Sequence, residues 1–320
     1  MNAFDELLIG NSPELRAVTR AARIAAVTSV PVLILGESGS GKELLAEAIH
    51  RESRRNHGPF FAINCAALPE ALAESELYGH RKGAFSGALS DQIGHLRAAH
   101  GGTLLLDEVG ELPAKVQAKL LRFLDSGECQ PVGQPRPEKV DVRLLAATNR
   151  DLYAEVKAGR FRRDLYYRLH VVPLELPPLR QRGGDLALLL ENLTARLACF
   201  HGLPAPRYSA DTVESLQRYP WPGNVRELKN FCERMVVLLG GRTIYRNNLP
   251  PEIRDHYRHR EGTPGFVLPQ GGLKLNELEA EMIRQALDKT RGNRSKAARL
   301  LGLTRDTLLY RMRKYTLEGI

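Results

Sequence analysis

The tightest constraint on this chain is Val32-Leu33-Ile34-Leu35 followed by Gly36-Glu37-Ser38-Gly39-Ser40-Gly41-Lys42-Glu43. The apolar run reads as a strand buried on both faces. Leu44, Leu45, Ala48 and Ile49 then place an apolar stripe along a following helix. The glycines between them permit a turn with positive φ. Strand, glycine turn and helix in this order make a phosphate cradle. Backbone N–H groups of the turn and the positive end of the helix dipole face a β-phosphate, while Lys42 reaches the β- and γ-oxygens. The next position, where a Ser or Thr hydroxyl commonly serves Mg²⁺, is Glu43. The metal is therefore expected on a carboxylate further along.

Such a loop calls for a parallel sheet whose other strands end at the same edge. Pro59 to Cys65 reads as a second strand with Asn64 at its carboxyl end, open to two roles: a ligand group, or an amide capping the next turn. Gly101 to Glu108 is an apolar strand ending in two carboxylates, the partner a phosphate loop requires. Asp107 is expected to hold Mg²⁺, and Glu108 to orient and polarise the attacking water. Val140 to Ala147 predicts a fourth strand ending at Thr148-Asn149, beside the γ-phosphate, and His170 to Leu174 a further one. A helix is predicted from Pro13 with Ser12 as its N-cap, and another over Val116 to Leu124.

Two stretches fit neither period. Glu76 to Ala88 reads as a loop with one aromatic, Phe85, among its glycines, either a mobile contact loop or a packed turn. Phe161 to Leu169 holds three arginines and one acid; they are either solvated or placed to reach a neighbouring subunit's γ-phosphate. After Leu176-Pro177-Pro178-Leu179 the pattern becomes helical without strands. Within it, Asn224 is expected to cap a helix, with Glu227 completing a capping box and Arg226 in the first turn, where it can sense phosphate.

The formal net charge of +9 is concentrated near the end of the sequence. Lys289 to Lys314 carries nine basic side chains against a single acid, Asp306, and the rest of the chain is close to neutral. The same segment reads as helix, turn at Gly302 and second helix capped by Thr304, around Ala298, Leu303 and Leu308. A basic helix-turn-helix predicts double-stranded DNA as partner. Arg305, Thr307 and Arg311 are the candidates for base edges, with Arg294, Ser295, Tyr310, Arg313 and Lys314 around them. Residues 254–275 read as a linker, giving an α/β core over 1–175, a helical lid over 176–253 and a DNA-binding domain over 276–320. No apolar run is long enough to cross a bilayer, the acidic start is unlike a signal peptide, and the four cysteines and nine histidines lack metal-ligand spacing. A cytoplasmic protein with free thiols is expected.

Taken together, the motifs resemble those of the bacterial enhancer-binding activators of sigma-54 RNA polymerase, a branch of the AAA+ ATPases. Gly36 to Glu43 resembles the family's Walker A, including its glutamate, and Gly101 to Glu108 its Walker B. Gly83-Ala84-Phe85-Ser86-Gly87-Ala88 resembles the GAFTGA loop that contacts sigma-54, with Ser86 for threonine, and Trp221 to Leu228 the second sensor. The resemblance spans about Leu8 to Lys314. It implies an AAA+ doubly wound parallel sheet with a helical lid and a C-terminal all-α helix-turn-helix. It also implies ATP hydrolysis, an Asn64–Glu108 switch, a first sensor at Thr148 and Asn149, and Arg162 and Arg168 acting in trans across a hexameric ring. The ATPase pattern begins within the first ten residues, a layout that implies regulation by a partner in trans in place of an N-terminal receiver. Two other functions remain open at this level: a DNA-binding repressor whose ATPase module only assembles it, and a remodelling ATPase acting on other proteins.

Overall fold

The computed structural model describes residues 2–254, 273–315 and 317. They fall into two compact units, Met1–Arg258 and His259–Ile320. Most of the expected linker, 255–272, lies outside the described residues.

In the first unit five strands run parallel in the order β2-β3-β4-β1-β5: β1 (Val32–Leu35), β2 (Phe60–Asn64), β3 (Thr103–Asp107), β4 (Arg143–Thr148) and β5 (Val172–Glu175). Successive side chains of a strand point to opposite faces, so the sheet feeds two cores. Leu33, Leu104, Leu106, Leu144 and Ala146 pack with Val116, Leu120 and Phe123 of helix Ala114–Ser126. Ile34, Leu105, Leu145 and Ala147 pack on the other face with helices Pro13–Ala26 and Lys42–Arg51. The register sets Leu35 beside Thr148 and Asn64 beside Asp107. Four strand ends therefore share one edge. The crossover after β1 leads to the far side of the sheet while β5 lies on the near side, and ligands bind in the crevice at such a reversal.

Several boundaries differ from the sequence reading, each for a local reason. β4 starts at Arg143 and not at Val140, because the Val140 N–H donates to Gly127 O at 2.9 Å. That bond adjoins a two-residue ladder, Glu128–Cys129 against Glu138–Lys139, inside a connection that had no strand signal. Arg143 is buried with its guanidinium donating to Ala25 O (2.7 Å) and Ala26 O (2.6 Å), the exposed carbonyl end of helix Pro13–Ala26. Burial pushes its pKa down to about 10. β5 begins at Val172 because His170 still closes helix Arg163–Leu169 through Tyr166 O. Helix Pro13–Ala26 starts where expected, yet Ser12 makes no side-chain cap and its hydroxyl donates to Asp185 Oδ2 at 2.8 Å.

The helical region comprises Asp185–His201, Ala210–Arg218 and Asn224–Leu239, around Leu189, Leu216, Trp221, Leu228 and Met235. It is not strand-free: Arg207–Tyr208 and Thr243–Ile244 form a parallel ladder too short to leave a period in the sequence. Asp185, fully buried, accepts from the N–H groups of Asn11 (2.5 Å) and Ser12 (2.9 Å) and from Arg182 Nε (2.9 Å), and Arg182 donates on to Ile9 O (2.7 Å).

In the second unit, helices Leu275–Lys289, Arg294–Leu300 and Arg305–Lys314 enclose Ile283, Leu287, Ala297, Ala298, Leu308 and Met312. Asn293 and Thr304 cap the second and third helices through Lys296 N–H (3.1 Å) and Thr307 N–H (3.2 Å). Gly302, at φ 64, makes the turn between them. Among the described residues no helix is long and apolar enough to cross a membrane.

Candidate functional site

A cleft at the carboxyl edge of the sheet is lined by Ser38, Gly39, Gly41, Lys42, Glu43, Asn64, Asp107, Glu108, Arg226 and Lys229, among others. The sequence-predicted loop, strand-end carboxylates and second-sensor arginine thus converge, although they lie as far apart as 188 residues in sequence. Lys42 opens helix Lys42–Arg51 and is 6% exposed; its Nζ donates to Gly36 O at 3.0 Å and lies 3.5 Å from Glu108 Oε1. The Ser40 hydroxyl is buried without a hydrogen-bond partner among the described residues.

Glu108 sits just past β3 at φ 52, left-handed for a non-glycine residue, a strain that functional turns retain. That backbone turns its carboxylate toward Lys42 and lets Oε2 accept from Asn149 N–H at 3.1 Å. Asp107 Oδ1 accepts from Glu108 N–H at 3.1 Å. Burial, reinforced by the charge of Glu108, raises the Asp107 carboxyl above its usual range, with Lys42 pulling the other way. Thr148 is buried, its hydroxyl accepting from Arg150 N–H at 3.1 Å. The Asn64–Glu108 contact implied by the resemblance is not made. Asn64 Oδ1 accepts from Ala66 N–H at 2.9 Å, which is the capping role left open by the sequence.

The second-sensor segment also departs from its reading. Gly223 is the N-cap, not Asn224, and Asn224 makes no cap bond. Glu227, four positions on, accepts from Gly223 N–H at 2.8 Å, but with glycine as the N-cap no reciprocal side-chain bond forms and the expected capping box is not made. Asn224, at φ 51, instead donates to Glu37 Oε2 and Ser38 O (both 3.1 Å) and accepts from Leu179 N–H (2.8 Å). Arg226 Nη1 donates to Ser38 Oγ at 3.0 Å. Gly39, at φ 75, is needed here: a Cβ would stand 2.3 Å from Gly223 O. Sequence reasoning missed Arg180, whose guanidinium grips both oxygens of Glu37 at 2.8 and 2.5 Å across 143 positions. No spacing rule announces a partner so remote.

Arg162 and Arg168 do not line this cleft. Arg162 forks onto Asp164 (3.0 and 2.6 Å), while Arg168 donates to Leu124 O and pairs with Asp125. In the aromatic-tipped stretch, Glu76 to Tyr78 belong to helix Glu70–Tyr78 and not to the loop, with Leu77 and Tyr78 buried. The loop itself is folded back, Gly83 N–H donating to Ala88 O (2.9 Å) and Lys82 N–H to Asp91 Oδ1 (2.8 Å). Phe85 is 37% exposed and lies edge-on against the His80 ring, 4.9 Å between centroids. Gly83 (φ 80) and Gly87 (φ 107) flank it with open space around each. Ala84 rests against the 133 turn, and Ser86 faces outward.

Of the residues assigned to DNA, Arg294, Ser295, Arg305, Tyr310, Arg313 and Lys314 are exposed. Arg311 is instead paired with Glu279 of the first helix, and the Thr307 hydroxyl is shared with Thr304 at 2.7 Å. Arg311 thereby links the third helix to the first, and Thr307 takes part in the cap of its own helix.

Three family models match in succession: the sigma-54 interaction domain over residues 8–175, an AAA+ ATPase lid domain over 180–264, and the bacterial regulatory protein, Fis family, over 274–315. The response regulator protein PilR of Pseudomonas aeruginosa is 44% identical over 98% of this chain and 71% of its own length. The regulatory protein AtoC of Escherichia coli is 43% identical over 97% and 68%. Among solved structures, NtrX from Brucella abortus in complex with ATP is 31% identical with a TM-score of 0.72, covering 98% of this chain and 69% of that one. The chain belongs to the sigma-54-dependent transcriptional activators, AAA+ ATPases carrying a lid and a Fis-type DNA-binding helix-turn-helix.

Proposed function

We propose that the protein, assembled as a homohexameric ring in the cytoplasm, hydrolyses ATP in this cleft and uses the energy to remodel the sigma-54 RNA polymerase closed complex from enhancer DNA. The observation that carries the reading is the convergence of Lys42, the Asp107–Glu108 pair and Arg226 on one cleft. The N–H groups of the phosphate loop and Lys42 would hold the β- and γ-phosphates, and Arg226 would approach from the lid. Glu108, held by Lys42 and Asn149, is the carboxylate placed to orient the attacking water and accept its proton. The donor chemistry fits a hard cation, since Asp107 offers carboxylate oxygen to the cleft. Phosphate oxygens and water would complete the shell, and Mg²⁺ held there would neutralise charge on the transferred phosphoryl group.

Arg162 and Arg168, which do not line their own cleft, would serve the neighbouring subunit's site. The glycine-flanked Phe85 and Ser86 would lift from the folded loop to press on sigma-54. The exposed basic side chains of the second unit would anchor enhancer DNA. In vitro transcription from a sigma-54 promoter tests this reading: open complexes should form with ATP and fail with a non-hydrolysable analogue. Equal opening with both nucleotides would refute it.

A further inference from the structure

We propose that Arg180 and Glu37 form a latch between the lid and the phosphate loop, and that Arg180 is thereby a positioning residue for Arg226. The inference deepens the ATP-site reading and rests on it. Arg180 lies in the turn Leu179–Gln181 that leads into the lid, and Glu37 is the second residue of the phosphate loop. Their fork is bidentate, the geometry in which a guanidinium fixes orientation as well as distance. Glu37 Oε2 is shared: it accepts from Arg180 Nη1 and from Asn224 Nδ2. The remaining capacity of the Asn224 amide goes to Ser38 O and Leu179 N–H, so this buried side chain is pinned from three directions. Asn224 opens the helix that carries Arg226 in its first turn. The next two N–H groups, of Val225 and Arg226, donate to Gly39 O at 3.0 and 3.3 Å.

The phosphate loop therefore supplies the acceptor for the Val225 and Arg226 N–H groups of this helix start, whose N-cap glycine has no side chain to do so, and Arg180 sets the carboxylate beside it. Hydrogen bonds from Arg180, then from Asn224, hold the Glu37 carboxyl down at about 2, so the latch keeps its charge throughout the physiological range. The pair is 44% and 41% exposed. A solvated pair of this kind contributes little to global stability, so its removal leaves the fold in place and acts on the lid.

The test uses the full chain. In the nucleotide-free protein, Arg180→Ala should speed hydrogen exchange of the Val225 and Arg226 amides by about tenfold, with the β3 amides unchanged. ATP with Mg²⁺ should bind about fivefold more weakly to Arg180→Ala, but less than about twofold more weakly when Arg226 is already alanine, because residues acting through one another are not additive. Arg180→Lys, which keeps the charge without the fork, should fall between. If a general rise in exchange marks unfolding of the alanine variant, the lysine variant is read in its place. Unchanged exchange at Val225 and Arg226, or the full fivefold loss in the Arg226→Ala background, would overturn the latch. Failure of the ATP-site reading has a separate signature: the unmodified protein and Lys42→Ala would bind ATP equally poorly, while the exchange arm still decides the latch.

Discussion

Replacing Glu108 by glutamine separates binding from chemistry at this site. The side chain keeps its shape but loses the charge that lies 3.5 Å from Lys42 Nζ, with the two groups 6% and 17% exposed on the lysine and glutamate sides. Unit charges about 4 Å apart are worth roughly 4 kcal/mol at an effective dielectric of 20. Desolvation and rearrangement offset most of that, leaving about 1 kcal/mol that phosphate no longer competes for, or about a fivefold gain in ATP affinity. Glutamine cannot accept the proton of the attacking water, and loss of such a group typically lowers the rate by about 10²–10⁴-fold. Isothermal titration with ATP and single-turnover hydrolysis measure the two effects separately. Hydrolysis within about threefold of the unmodified protein would refute the role of Glu108. Weaker ATP binding would refute the competition with Lys42.

Asp107→Asn should abolish metal-dependent hydrolysis yet stabilise the nucleotide-free protein by up to about 1 kcal/mol at neutral pH, as removal of a functional strain commonly does. The folded carboxyl is raised above its unfolded value, so the folded state binds the proton more tightly. Stability is lost as pH climbs through that window, and the advantage of asparagine should vanish in acid, as thermal melts across pH will show. Arg162→Ala should be inactive alone and recover part of its ATPase when mixed with Glu108→Gln, since mixed rings rebuild intact interfaces; no recovery at any ratio excludes action in trans. Phe85→Ala removes a side chain already 37% exposed and should leave ATPase and DNA binding within about twofold while eliminating open-complex formation. Arg305→Ala should weaken DNA binding more than Arg311→Ala, which, being paired with Glu279, should lower the melting temperature of the second unit instead; the reverse ranking would return Arg311 to the DNA.

The phosphate loop was legible because its residues are contiguous and each obeys a local rule: strand, positive-φ glycines, helix. Asp107 and Glu108 were legible for the same reason, as the polar end of an apolar run. The reading erred where a side chain had a choice that only tertiary contacts settle. Ser12 is the N-cap as expected, but Asp185, 173 positions away, takes the hydroxyl that would have capped the helix. Asn224 reads as a local cap, but Glu37 and Leu179 compete for its amide more strongly than its own helix does. For Arg311, a candidate for base edges, no local signal announced its pair with Glu279, 32 residues earlier. Two-residue ladders escape any periodicity test, because a period needs several turns to show itself.

The buried Asp185 carboxylate has a mechanical consequence. It holds Asn11 and Ser12, and through Arg182 also Ile9, while Gly10 leaves no room for a side chain: a Cβ there would stand 2.3 Å from Asp185 Oδ2. Pulling this strip of chain off the lid would leave Asp185 paired with Arg182 but take three hydrogen bonds from a buried carboxylate, and hydrogen bonds to charged groups contribute about 1.5–3 kcal/mol each. The strip therefore behaves as a tether anchored in the lid and not as a loose lead into the sheet. Residues 9–12 thereby tie the helix that begins at Asp185 to the two helices flanking the strip, Ala3–Leu7 and Pro13–Ala26, both packed on the sheet.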